Sequence, residues 1–452
     1  MKTTLRVMTC VLALSLVHPY FAGQACPSGT TSDRLICAIP QLYGPAGLIL
    51  PNPNHQAHFQ ASFQQSFTPL NSALSQELSI LPLASPASAI TFTFDKALGV
   101  FTRSTESYGP IFGERAETIG RHRIYFGANY QFFSFDKLDG IDLKRLPADF
   151  KHIEFQINGQ FPEFEKDYIT TTNRIDLKLH EVTIFGTYGL TNRIDVSVAI
   201  PILDVRMGVT SSAHIVRIPA CELAGNCSDR SSFGGEYHFF DANNPFGSRD
   251  HTFFSGRSAA GIGDVVFRVK STLISRERLA IAGGVDVRVP SGDELNFLGS
   301  GAWGVKPFLS ASYRARISPH VNIGYEWNGD SILAGDISTG HTARLPNQLF
   351  YSGGVDVRLK PRITLATDLL GQRVLGGERL STVSFTDMSG AVHNDIPDIQ
   401  PFKGSFLMNN LSVGAKCGIY RNLLLTGNVI FSLDDGGLRS KVAPLAGLSY
   451  TF

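Results

Sequence analysis

The chain has 452 residues with 40 basic and 39 acidic side chains, so a formal charge of +1 offers no electrostatic handle for a nucleic-acid partner. Charged residues make up only 17% while Gly (44) and Phe (32) are abundant, and a mean hydropathy near zero fits polar and apolar residues that alternate instead of segregating. After the leader no run reaches the roughly 18 apolar residues a membrane-crossing helix requires, which excludes a helical membrane protein.

The first segment carries Lys2 and Arg6, an apolar stretch from Val7 to Val17, and small residues at Ala22, Gly23 and Ala25. That is the three-part layout of a secretory signal peptide, and cleavage is expected after Ala25. Residues 1–25 are assigned to export. Outside this leader the cysteines are Cys26, Cys37, Cys221, Cys227 and Cys417. Cys26 with Cys37, and Cys221 with Cys227, are near enough in sequence to close small loops as disulfides, which suits a compartment outside the cytoplasm. Free thiols are the other reading. No second close Cys or His pair accompanies either one, so no metal site is expected.

Residues 26–120 differ from the rest. Phe59, Phe63, Phe67, Leu70, Leu74 and Leu78 recur at spacings of three and four, which predicts an amphipathic helix over 59–80. An irregular Pro- and Gly-rich stretch, "IPQLYGPAGLILPNPN", precedes it. Residues 89–104 alternate and form a candidate hairpin.

From residue 121 one pattern recurs: about ten residues alternating apolar and polar, then turn chemistry. Period two places successive side chains on opposite faces of a strand. Trp303, Val305, Leu309 and Tyr313 share one face, against Lys306, Ser310, Ser312 and Arg314; Val321, Ile323, Tyr325 and Trp327 oppose Asn322 and Glu326. Aromatic rings near the ends of an aliphatic face are what a lipid-facing strand needs. Twelve segments read this way: 121–136, 173–190, 193–208, 259–273, 278–290, 302–316, 320–329, 345–360, 362–375, 404–419, 423–434 and 439–452. The hairpin at 89–104 leaves a count of fourteen open. Around His180 and Glu181 the apolar set moves from Leu177 and Leu179 to Val182 and Ile184, which predicts a β-bulge.

Tight turns at 190–193, 275–278, 318–319, 361–362 and 421–422 alternate with long connections at 138–172, 209–258, 291–302, 330–344 and 376–402. Outer-membrane barrels sort their loops in this way, with the short side in the periplasm. Leu448, Tyr450 and Phe452 lie on one face of the last strand and match the terminal signal read by the outer-membrane assembly machinery. The expected fold is all-β: a transmembrane antiparallel β-barrel over 121–452 in a Gram-negative outer membrane, bathed in its lipid and lipopolysaccharide. Residues 26–120 are then a partly helical lumen plug or a periplasmic extension, entering from the periplasmic side.

The hexapeptide Gly-Gly-Val-Asp-Val-Arg occurs at 283–288 and 353–358, putting Asp286, Arg288, Asp356 and Arg358 on the polar face. With Asp264, Arg268, Lys270, Lys306, Arg314, Glu326, Lys360, Asp368 and Lys416 they are expected to line a lumen of mixed sign. Such a lining is either an ion-pair ladder that solvates the interior or a selectivity surface and dock for the plug. No His-Glu-x-x-His spacing, Gly-x-Ser-x-Gly elbow or phosphate-cradling loop occurs, so no catalytic residues and no cofactor are expected. His180 is expected in the lumen.

Three segments, "YGLTNRIDVSVAIPI" (188–202), "GIGDVVFRVK" (261–270) and "LAIAGGVDVRVPSGDELNFLGSG" (279–301), resemble hallmark stretches of the outer-membrane transporters named for the meta-pathway of phenol degradation, in the same order. More distantly, a plugged barrel is similar to outer-membrane transporters of long-chain fatty acids and toluene. The resemblance implies passive diffusion of small hydrophobic compounds, aromatic ones among them, and no enzymatic step. The connection 209–258, with Phe239, Phe240 and Phe246, is the candidate surface for solute access. A structural or adhesive barrel with a filled lumen, and a barrel enzyme, are the competing classes.

Overall fold

A computed structural model of the chain describes residues 26–27, 29–53, 56–61, 92–95, 100–103, 107–152, 167–217, 238–244, 248–337, 339–387 and 390–452. Twelve antiparallel strands close into a barrel: β1 Ile124–Phe135, β2 Tyr168–Gly189, β3 Ile194–Val216, β4 Val265–Ser275, β5 Leu279–Val289, β6 Gly304–Tyr313, β7 Ile317–Asn328, β8 Gln348–Lys360, β9 Ile363–Thr386, β10 Val392–Tyr420, β11 Leu423–Ser432 and β12 Val442–Thr451. Each strand pairs with its neighbour in sequence, and β12 returns to β1 with Leu445 opposite Gln131 and Thr451 opposite Tyr125. The Phe452 N–H adds a bond to the Ile124 carbonyl at 2.8 Å. Closure leaves no unpaired edge, which is what allows a sheet to stand in hydrocarbon. The outer wall is dressed accordingly: Phe126, Val182, Phe267, Val269, Trp303, Leu309, Val321, Ile323 and Trp327 are all exposed.

The candidate hairpin forms, Phe92–Asp95 against Val100–Arg103, but as a separate two-stranded sheet. The barrel therefore has twelve strands and not fourteen. Phe59, expected to begin a helix, lies in a short strand, Phe59–Ala61, paired with Phe150–His152. The remainder of that helix falls outside the described residues, as do residues 1–25, Cys221 and Cys227.

Four of the expected long loops contain sheet: short strands such as Phe150–His152 lie in 138–172, Asp330–Asp336 pairs with His341–Arg344 in 330–344, and the other two carry long extensions of barrel strands. β3 continues to Val216 and pairs above residue 202 with a strand at Asp250–Ile262, from Ile202 opposite Ile262 to His214 opposite Asp250. β9 and β10 run on as a ribbon that ends at Thr386 opposite Val392. No bulge occurs at His180. Its register is unbroken on both sides, with Phe132 opposite it on β1 and Asp204 on β3.

The reason for that error is structural. Odd-numbered residues of β2 are buried along the whole strand: Ile175, Leu177 and Leu179, then Glu181, Thr183 and Thr187. The phase holds; the polarity of the interior changes. On β3 the inward set passes from Asp195 and Ser197 to Val205, Met207, Val209, Ala213 and Ile215. The outward set changes in the opposite sense, from Ile194, Val196 and Ile202 to Asp204, Arg206 and His214. The barrel thus has two storeys. In the membrane storey polar groups face in and apolar groups face lipid; toward the long-loop end the faces reverse, as in a water-soluble β protein. Register shifts do occur near the short-turn rim, at 272/274, 358/360 and 418/420, where bulges commonly sit.

Residues 26–53 fill the apolar storey. Leu35, Ile36, Ile39, Leu42, Leu48 and Leu50 are buried against Leu177, Leu179, Val205, Met207, Phe133 and Phe150. Cys26 and Cys37 are disulfide-bonded, with Cα atoms 5.5 Å apart. The Leu35 N–H donates to the Asn296 side chain at 2.9 Å, and Arg257 donates to the Arg34 carbonyl at 2.7 Å. Both anchors belong to the long-loop end. Residues 26–53 thus sit at the long-loop end, while residues 107–120, which lead into β1, lie against the short-turn rim.

Candidate functional site

Residues 107–120 have no regular secondary structure, yet every one is buried except Phe112, which is half-buried. An irregular backbone out of contact with water needs partners from elsewhere, and the barrel wall supplies them. Lys270 on β4 donates to Glu114 Oε1 at 2.7 Å and to the carbonyls of Arg115 and Glu117 at 3.0 and 2.8 Å. Beside it, Arg268 bonds Glu114 at 2.5 Å and forks onto both oxygens of Asp286 on β5 at 2.6 and 2.7 Å. On the facing wall, Arg115 pairs with Asp356 of β8 at 2.6 Å, and the Ser107 hydroxyl donates to the same carboxylate. Lys416 of β10 donates to the Pro110 carbonyl at 2.5 Å. Main-chain N–H groups are met as well: Tyr108 by Thr364, Ala116 by Ser312 and Ile119 by Asp195. One short segment is therefore tied to β3, β4, β6, β8, β9 and β10.

Glu117 accepts from Ser312 at 2.7 Å and from Arg314 at 2.8 Å. Burial alone would push its carboxyl up; Arg115, Ser312 and Arg314 outweigh that and hold it below the ordinary carboxylate range. Two glycines permit the close approach. A Cβ on Gly113 would stand 2.6 Å from His320 Nε2, and one on Gly189 would stand 1.8 Å from the Gly120 carbonyl oxygen. His320 itself lies between Asp368 at 2.5 Å and Asp356 at 3.6 Å.

Of the residues expected to line the lumen, Arg268, Lys270, Asp286, Arg288, Lys306, Glu326, Asp356, Asp368 and Lys416 point inward. Arg288 pairs with Glu326 at 3.2 Å, and Lys306 with Asp286 at 3.2 Å while lying over the Phe350 ring. Arg314 sits at the short-turn rim on Glu117. Asp264 departs from the expectation. It lies in the break between Asp250–Ile262 and β4, and accepts from the Gly292 and Ser300 main-chain N–H groups, pinning the loop 292–300 at the opposite end. Lys360 is exposed at the short-turn rim and Arg358 is half-buried. His180 is on the outer face, not in the lumen, bonded to the Tyr130 hydroxyl at 2.8 Å with its ring 4.8 Å from Phe132. Leu448 and Phe452 are exposed on the outer wall, and the Tyr450 and Phe452 rings meet edge to face.

Glu114, Arg115 and Glu117, which with their wall partners form a charged collar across the lumen, were not singled out in the sequence, because nothing periodic marks the stretch "GERAETIG". A second group also went unnoticed. His58, His152 and His238 converge at the long-loop end, with ligand atoms within 4.8 Å of one another. Its one local sign is His55 standing three residues before His58.

Fold and site together define a membrane-spanning β-barrel whose interior is crossed by its own residues 107–120. No family model matches the chain, and no curated protein matches it in sequence. Among solved structures it is similar to an outer membrane channel from Pseudomonas putida F1, with 12% identity and a TM-score of 0.43, over 75% of this chain and 98% of that one. It is also similar to a Pseudomonas aeruginosa FadL homologue (10% identity, TM-score 0.30, over 81% and 96%) and to the Ralstonia pickettii toluene transporter TbuX (10% identity, TM-score 0.28, over 74% and 90%). The likeness is one of barrel to barrel.

Proposed function

We propose that the protein is an outer-membrane channel for passive uptake of small hydrophobic compounds, aromatic ones included. The observation that carries this reading is the reversal of polarity inside the barrel. Apolar side chains such as Leu177, Leu179, Val205 and Met207 face inward at the long-loop end, above a charged collar around residues 107–120. Residues 26–53 cover that wall in this structure; uncovered, it would favour an apolar solute by roughly 25 cal/mol per Å² removed from water, and the collar then sets the barrier to passage. The resemblance of segments 188–202, 261–270 and 279–301 to the phenol meta-pathway transporters supports the same solute class. On this reading residues 1–25 direct export, residues 26–120 act as an internal plug, and residues 121–452 form the barrel, with long loops toward lipopolysaccharide and short turns in the periplasm. Cys221 and Cys227 are assigned as a second disulfide in the access loop, and Leu448, Tyr450 and Phe452 as the assembly signal.

A filled surface barrel is the second reading, favoured by the β9–β10 ribbon, which continues well past the strands beside it. At the collar the Ser107 hydroxyl donates to Asp356 and His320 is held by Asp368, an arrangement that supports a structural role for these groups over a catalytic one. Single-channel conductance of the refolded protein, with and without residues 26–120, tests the proposal. Removal is expected to turn a low conductance into an open pore. A folded barrel that stays closed without the segment would favour the filled-barrel reading.

A further inference from the structure

We propose that His58, His152 and His238 form a binding site for a borderline divalent transition metal, with Zn²⁺ the best-fitting ion, at the long-loop end of the barrel. The three imidazoles come from segments far apart in sequence: His58 precedes the strand Phe59–Ala61, His152 ends its partner Phe150–His152, and His238 lies beyond β3. The rings form a compact group, with centroids 5.1 Å apart for His58 and His152 and 5.1 Å for His152 and His238. Phe59 closes one side, edge-on to His152 at 5.2 Å and to His238 at 4.8 Å. A tetrahedral zinc with Zn–N bonds of ~2.0–2.1 Å spaces its donors ~3.4 Å apart, so the ligand atoms, within 4.8 Å of one another, need to close by up to about 1.4 Å.

The surroundings point the same way. Asp167 bonds His238 Nδ1 at 2.8 Å, with both side chains fully buried. A carboxylate behind an imidazole fixes its tautomer and ring orientation, which makes Nε2 the ligand atom of His238. Arg217 holds the His238 carbonyl through Nε at 3.1 Å and Nη2 at 2.7 Å, which sets the ring in place. A donor set of nitrogens without a ligating carboxylate selects Zn²⁺, Cu²⁺ or Ni²⁺ over Mg²⁺ and Ca²⁺. His58 is half-buried, so a fourth position can be reached by water. The bound ion would join the N-terminal segment to the short strand Phe150–His152 in the connection between β1 and β2 and to the loop beyond β3, stapling the segment that fills the apolar storey. The site does not depend on what passes through the barrel.

The test uses the full-length, untagged, refolded protein, stripped of metal and titrated with Co²⁺. One equivalent is expected to bind with the visible absorption of tetrahedral cobalt, and one equivalent of Zn²⁺ is expected to displace it while Mg²⁺ does not. Asp167→Asn should weaken binding by roughly 10–100-fold, and His152→Gln should abolish it. His58→Gln guards against misfolding, because His58 is the least buried of the three; heat-modifiable gel mobility reports that the barrel is intact. Absence of stoichiometric binding, or a His58→Gln protein that binds cobalt with the wild-type spectrum and affinity, would overturn the proposal.

Discussion

Replacing Lys270 by Met isolates the chemistry that holds residues 107–120 in the barrel. The Lys270 side chain is 1% exposed and makes three bonds to the segment, one to Glu114 and two to main-chain carbonyls. Met keeps most of the side-chain volume, so packing is conserved and only the ammonium is lost. The carbonyls of Arg115 and Glu117 are left without that donor where water does not reach, at roughly 1–3 kcal/mol each. Glu114 retains Arg268 as counter-ion, which moderates the roughly 3–5 kcal/mol usual for breaking a buried pair. A net cost of about 3 kcal/mol against the docked segment corresponds to ~10²-fold in the docking equilibrium, at ~1.4 kcal/mol per decade. Hydrogen exchange followed by mass spectrometry reads this directly, because the amides of Tyr108, Ala116 and Ile119 are bonded to Thr364, Ser312 and Asp195. Exchange over 107–120 is expected to quicken by about 100-fold, with the strands unaffected. High salt should not reproduce the effect in the wild-type protein, because buried pairs are weakly screened. Wild-type exchange over 107–120 in a variant with fully protected strands would refute the role given to Lys270.

The Glu117 carboxyl lies below its ordinary value of 4.5 when docked. Its stabilising contribution is therefore present above that value and lost as pH falls through the docked pKa. Exchange over 107–120 should accelerate on strong acidification, and Glu117→Gln should flatten that dependence; an unchanged pH profile would count against the assignment. Leu177→Ala removes a side chain 1% exposed in the apolar storey and should cost roughly 2–5 kcal/mol. The loss is expected in the protease resistance of residues 26–53, and a uniform effect on the whole barrel would argue against separate storeys. Deleting Phe452, 62% exposed on the outer wall, should lower the fraction of heat-modifiable barrel recovered from cells while refolding in detergent proceeds normally. Equal losses in both settings would mean that Phe452 serves stability and not assembly.

The twelve strands were legible because lipid imposes a strict rule: at membrane depth the outward residue is apolar and its neighbours face in. Arg268, Lys270, Asp286 and Asp356 could be assigned inward on that rule alone. The same rule misled wherever the surroundings changed. Asp204, Arg206 and His214 alternate with Val205, Met207 and Ile215 as regularly as any membrane residues do, but above the lipid the apolar set faces in. Alternation reports that two faces differ; which face is inside depends on whether the outside is hydrocarbon or water. Hence a bulge was expected at His180 where the strand crosses that boundary, and sheet at 250–258 and 376–402 was taken for loop. Arg115 and Glu117 were illegible for another reason. Their segment is shaped by the wall it lies against, so no period of its own records the contact. The histidines were hidden by distance, since pairing Phe59–Ala61 with Phe150–His152 is what brings His58 to His152.

The charge pattern of the collar constrains how any passage could open. Residues 107–120 contribute Glu114, Arg115 and Glu117, and their ion-paired wall partners are Arg268, Lys270, Arg314 and Asp356. Behind them Asp286 pairs with both Arg268 and Lys306. Withdrawing the segment takes Glu114 from Lys270, Glu117 from Arg314 and Arg115 from Asp356. A buried charge cannot be stranded in this way without several kcal/mol of cost unless water replaces the lost partner. The open state must therefore be hydrated at the collar even if the solute is apolar. On the proposed reading, ion conductance then reports the same path a hydrophobic solute would take, and the apolar storey, not the collar, is where selectivity for it would reside.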